Sequence, residues 1–212
     1  MRTLSVYIAA LAAAVLAACG GLVPGSSSSS EVTQYDFGPM PQRNASALPQ
    51  SLLVYDVNAP GWLDSPLIYY RLAYQDATKP QAYADSRWVG SPAELIGGRV
   101  RARLAASGKG GIVHPADGMR APYALRVELD EFTQVFDAPG KSRAVVRLRA
   151  TVLGKSALLA QKSFSVERPA ATPDAEGGVR ALIAASDEAL DQLVTRTVAS
   201  LKDSESNPSA RR

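Results

Sequence analysis

Two side-chain types with chemistry near neutral pH each occur once in this chain: one cysteine, Cys19, and one histidine, His114. A thiol ionises there to a strong nucleophile and soft ligand, and an imidazole exchanges protons in the same range. A count of one excludes a disulfide within the chain. Cys19 closes the run Leu16-Ala17-Ala18-Cys19, an aliphatic residue and two small ones ahead of the thiol. The thiol is nucleophilic enough near neutral pH to serve as an attachment point. A buried cysteine behind an uncleaved helix is the alternative. His114 stands in the loop over 110–115. A Ser-His-Asp triad built on it is one reading and an exposed loop residue the other; the G-x-S-x-G elbow that would support the triad is absent.

Metal binding and phosphate binding find less support. With Cys19 acylated, a single histidine leaves only carboxylates as ligands, so no metal and no cofactor are expected. Gly108-Lys109-Gly110-Gly111 follows a helical pattern and lacks the G-x-x-x-x-G-K-[ST] spacing, so it reads as a helix stop.

What precedes and follows Cys19 fits an anchor. Arg2 supplies a positive start, and residues 6–18 carry no charge. That stretch is shorter than the roughly 20 apolar residues of a membrane span but suits the apolar part of a signal peptide. Leu16–Cys19 resembles the lipobox of bacterial lipoproteins, with residues 1–18 as the signal peptide and cleavage between Ala18 and Cys19. Two or more acyl chains hold a protein stably on a bilayer, at about 0.8 kcal/mol per buried CH₂. Residues 19–33, rich in Gly and Ser with five consecutive serines, read as the lipidated cysteine and a flexible tether. Gly20 is not the aspartate that commonly retains lipoproteins on an inner membrane, which favours the outer membrane, facing the periplasm. Lys and Arg number 23 against 20 acidic residues. That balance carries no electrostatic footprint for nucleic acid.

The rest of the chain must position whatever function the anchor serves. Strands are expected over 34–38, 52–57, 67–74 and 81–84, the third alternating Ile68, Tyr70, Leu72 against Tyr69, Arg71. Ser91-Pro92-Ala93-Glu94 spells a capping box with proline at the first helical position. Leu95, Ile96, Val100 and Leu104 form that helix's apolar face, with Arg99, Arg101 and Arg103 expected to point largely to water. A three-strand meander follows. Tyr123, Leu125, Val127 and Leu129 alternate until the phase slips near Glu131, which suggests a bulge. Turns at 137–140 and 154–155 lead into strands around Val146–Val152 and Leu158–Val166. A last helix keeps 3.6-residue periodicity from Val179 to Leu201, and residues 203–212 read as a disordered polar tail. The expected fold is α/β: a single domain over 34–202, with a mixed β-sheet and helices packed on it.

Large aromatic and cationic residues concentrate in two short runs, Trp62-Leu63-Asp64-Ser65-Pro66-Leu67-Ile68-Tyr69-Tyr70-Arg71 and Tyr83-Ala84-Asp85-Ser86-Arg87-Trp88. Both tryptophans are candidates for core anchors or for anchors of an interface, since indoles bury much area and want a partner for the N–H.

A lipobox, a strand, W-L-D-x-P-x-I-x-Y-R and then Y-x-x-x-R-W-x-x-x-P opening a helix together resemble the auxiliary lipoprotein family of ABC-type transport. That family includes the lipoprotein component of paraquat-inducible, MCE-type intermembrane transport systems. The resemblance extends over about 34–201 and is most specific in 62–92. It implies a fold like the N-terminal domain of TolB and no catalytic activity. It also implies a role beside a periplasmic MCE-type protein in moving phospholipid or other hydrophobic solutes between membranes. Trp62, Tyr70, Arg71, Arg87 and Trp88 carry the family motif and mark an interface candidate. A homo-oligomer is compatible with such a docking subunit. A free-standing lipid-binding carrier is the alternative, and a hydrolase would rest on His114 alone.

Overall fold

A computed structural model of the chain describes residues 31–40, 48–105, 110–155 and 157–206. The expected signal peptide, Cys19, most of the tether, the glycine stop at 108–109 and residues 207–212 lie outside the described residues. The strands are β1 (Thr33–Tyr35), β2 (Leu52–Val54), β3 (Leu67–Leu72), β4 (Pro80–Trp88), β5 (Ile112–Val113), β6 (Tyr123–Ala138), β7 (Lys141–Leu153) and β8 (Leu158–Pro169). The helices are α1 (Ala73–Asp76), α2 (Pro92–Ala105) and α3 (Ala175–Ser206). One mixed sheet of eight strands carries them, an α/β domain as the sequence predicts.

β6 is the axis of the sheet. Along one edge it pairs antiparallel with β7, which pairs antiparallel with β8. Along its other edge it takes two partners in succession, both parallel: β2 beside Tyr123–Leu125 and β3 beside Gln134–Phe136. Between them the chain follows β6 as far as Asn58, whose N–H donates to Val127 O and whose carbonyl accepts from Leu129 N. It then leaves through Pro60-Gly61 and returns as β3. The register of β6 against β7 shifts between Leu129 and Glu131, where the hydrophobic phase slips in sequence. The bulge keeps both halves apolar toward the same side: Leu125, Val127 and Leu129 before it, Phe132 and Phe136 after it are all buried.

That side is covered by α2 and α3. The predicted capping box opens α2, with Glu94 N donating to Ser91 Oγ (3.3 Å) and Ser91 N to Glu94 Oε2 (2.8 Å). Asp174 caps α3 by accepting from Gly177 N at 2.7 Å, and this bond holds its carboxyl below the usual carboxylate range. Ala181, Ala185 and Ala189, four residues apart and all buried, are small enough to let α3 pack closely. The approach is tightest at Gly178, where a Cβ would stand 2.0 Å from Gln134 Oε1. That amide is pinned, accepting from Tyr83 Oη (2.9 Å) and donating to Ser142 Oγ (2.8 Å), so it cannot swing aside without leaving buried groups unpaired.

Several expectations need correction. Arg99 and Arg103 do not point to water; both are buried against α3. Asp187 Oδ1 lies 3.3 Å from Arg99 Nε and 2.7 Å from Arg103 Nη2, and Arg103 Nη1 donates to Asp191 Oδ1 at 2.8 Å. Arg99 also donates to the carbonyls of Phe37 and Gly38. β3 stops at Leu72 because Asp76 accepts from the Thr78 N–H and hydroxyl, closing a turn in place of strand through residue 74. β4 is longer than predicted, and β5 was not expected. α3 runs to Ser206, beyond the last periodic leucine, with Ser204 buried 3.4 Å from the Tyr123 hydroxyl.

Candidate functional site

The two tryptophans of the motif serve different ends. Trp88 closes β4 on the helix-covered side and is 2 % exposed. Its indole meets Phe37 and Phe132 edge-on, each with ring centroids 5.6 Å away. It is a core residue, one of the two roles open to it in sequence. Trp62 stands in the 3₁₀ turn Gly61–Leu63, where Leu63 turns inward and Trp62 stays half-buried. It packs edge-on against Tyr69 at 5.2 Å, with the Arg71 guanidinium 5.3 Å from its ring centre.

β3 decides which motif residues share a face. Tyr69 and Arg71 alternate with Ile68 and Tyr70, so Trp62, Tyr69 and Arg71 gather on the face of the sheet opposite Ile68. Arg71 is held there from three directions: the Trp62 ring, Glu131 Oε1 at 3.6 Å, and the Ala77 carbonyl at 3.3 Å. Tyr70 lies on the opposite side, 4.7 Å from the Tyr83 ring and 5.9 Å from Phe136, with its hydroxyl donating to Gln81 Oε1. Burial pushes the Tyr83 phenol well above its usual range, so it stays a neutral donor to Gln134.

Arg87 faces away from Trp88 and is half-buried between Leu67 of β3 and Gln34 of β1. Between the pairs Leu67–Arg87 and Tyr69–Ala82 the register jumps, β4 advancing five residues where β3 advances two. The structure therefore brings Trp62 and Arg71 together, with Tyr69, which the motif reading left out; it sends Trp88 and Tyr70 inward. Tyr69 was legible from alternation, being two residues before Arg71. Glu131 was hidden by the bulge that reverses its phase.

A pre-set cation over an indole beside a tyrosine is chemistry for binding, not bond-making. Trp, Tyr and Arg are the types that dominate binding energy at protein interfaces. The position of Arg71 is fixed before any partner arrives, which lowers the ordering cost of association.

His114 lies elsewhere. Its Nδ1 accepts from Ala116 N at 3.2 Å, so Nε2 carries the proton toward Asp56 Oδ1 at 3.1 Å. That bond, with Arg101 at 3.3 Å, holds the Asp56 carboxyl below its ordinary range. Nδ1 is thus spent on capping the turn Pro115–Asp117 and Nε2 on Asp56. Among the described residues no group of three His, Cys, Asp or Glu is placed to hold a metal ion. No helix among them is long and apolar enough to cross a membrane.

A family model described as the ABC-type transport auxiliary lipoprotein component matches residues 35–197. The crystal structure of protein XCC0632 from Xanthomonas campestris superposes with a TM-score of 0.69 at 22% identity, covering 82% of this chain and all (100%) of that one. A second crystal structure, of an uncharacterised protein, has a TM-score of 0.58 at 12% identity and covers 78% of this chain and 98% of its own. At these identities the two structures establish the fold. Among curated proteins nothing matches the sequence.

Proposed function

The chain belongs to the ABC-type transport auxiliary lipoprotein family, and from that premise we propose that it is a non-enzymatic, membrane-anchored subunit that docks the periplasmic part of an ABC transport system. Cys19 carries the acyl anchor, and the Gly/Ser-rich segment to residue 33 sets the stand-off distance, about 20 Å r.m.s. for such a chain. The membrane is the outer one, and the partner is an MCE-type protein that handles phospholipid or another hydrophobic solute. The family match carries this reading. It is supported by the Trp62–Tyr69–Arg71 face, which offers binding chemistry on the side of the sheet that α2 and α3 leave open.

Replacing Cys19 by serine tests the anchoring step. The variant is expected to move from the membrane to the soluble fraction, keep its thermal midpoint and lose transport. Full transport by a soluble Cys19→Ser protein would show that the anchor is dispensable and would defeat this reading.

A further inference from the structure

Arg120 and Lys155 flank an open cleft where β6 begins and β7 ends. The cleft measures about 600 Å³, and Ala121, Pro122, Tyr123, Ala124 and Gly154 complete its lining. Its lining is about half polar, with Ala121, Pro122 and Ala124 supplying apolar side chains; the Tyr123 hydroxyl is turned away to Ser204, and the Gly154 N–H is spent on the Ala157 carbonyl.

Several cations elsewhere on the surface are paired with carboxylates. Arg149 is neutralised by Glu128 and Asp130, Arg143 by Asp137 and Glu167, Arg180 by Glu176, and Arg168 by Glu188. A second cleft, of about 360 Å³ at the other end of the β6–β7 hairpin, also has cationic walls, but Asp137 and Glu167 line it too. The first cleft has no carboxylate in its lining, and neither Arg120 nor Lys155 forms an ion pair among the described residues. Two cations with no carboxylate in the same lining form a site of unbalanced positive potential. Beside it Met119, 66 % exposed, presents an apolar side chain to solvent next to Arg120.

We propose that this cleft binds a phosphate-bearing anion, Arg120 and Lys155 taking the phosphate oxygens and the side chains of Ala121, Pro122 and Ala124 meeting what the phosphate is attached to. A forked guanidinium and a point-charge ammonium are a common pair for phosphate. The phosphate can belong to an anionic lipid headgroup or to a free anion. The site is remote from the Trp62 face and does not depend on the docking role.

The test uses the full acylated chain in non-ionic detergent, with NMR signals of the Met119 methyl and the Gly154 amide as reporters. It is titrated separately with dihexanoylphosphatidylglycerol, dihexanoylphosphatidylcholine and inorganic phosphate. Saturable shifts with phosphatidylglycerol alone support a headgroup site. Equal shifts with phosphatidylglycerol and inorganic phosphate support a site for the phosphate group itself. In either case the double variant Arg120→Ala, Lys155→Ala is expected to weaken binding about tenfold or more, with an unchanged thermal midpoint. The proposal is overturned if neither anion gives a saturable shift, if phosphatidylcholine binds as well as phosphatidylglycerol, or if the double variant binds as tightly as the parent.

Discussion

Asp187→Ala is expected to lower the folding stability by about 3–5 kcal/mol, the range for removing one partner of a buried ion pair. Asp187 meets two guanidiniums, Arg99 at 3.3 Å and Arg103 at 2.7 Å, and its backbone carbonyl also accepts from Arg103 Nη1. Its loss leaves two buried cations facing each other one helical turn apart, with Asp191 as the remaining counter-charge for Arg103. The contact joins α2 to α3, and through Arg99 it also holds the Phe37–Gly38 segment that covers the aromatic core. Urea unfolding of the full chain measures it as a lower midpoint at constant slope. A loss under about 1 kcal/mol would put the cluster in the class of exposed pairs, which contribute little. Adding Arg99→Met and Arg103→Met to Asp187→Ala should recover part of the stability, because no charge is then left unpaired.

The two tryptophans should part company under the same substitution. Trp88→Ala is expected to cost about 3–5 kcal/mol, because it empties a space enclosed by Phe37 and Phe132 that the structure cannot refill. Trp62→Ala removes a half-buried ring from a surface turn, so the stability cost should stay near or below about 1 kcal/mol. Its larger effect should fall on partner binding: about tenfold or more weaker, since it removes an aromatic anchor and frees Arg71 from its pre-set position. Thermal melts with co-purification of the transport partner separate the two. Equal stability losses would make Trp62 a core residue; unchanged partner recovery from a folded Trp62→Ala protein would remove it from the interface.

Local signals in the sequence were reliable wherever a backbone requirement was written in a few residues. Ser91-Pro92-Ala93-Glu94 announced a helix start, and the slip at Glu131 announced the bulge that keeps β6 apolar on one side. Long-range pairing was not readable in this way. Arg99 and Arg103 looked like solvated cations because a helix taken alone does not show what lies across from it. The complementary signal was Asp187 and Asp191, also four residues apart, on the otherwise apolar face of α3. Gln134 was hidden likewise; only the glycine at 178 hinted that the sheet comes close there. At the candidate site, the motif reading found Trp62 and Arg71 but placed Trp88 and Tyr70 with them. Alternation along β3 separates the residues; their adjacency in sequence does not.

The docking claim is tested most directly by a photo-crosslinking amino acid in place of Asp64, an exposed residue beside Trp62, in the full acylated chain in cells. A second chain carries the same group in place of Lys202, exposed on α3. The account predicts an adduct between position 64 and the periplasmic MCE-type component, absent from position 202 and lost when Trp62→Ala is added. No adduct from position 64, or equal adducts from both positions, would contradict it.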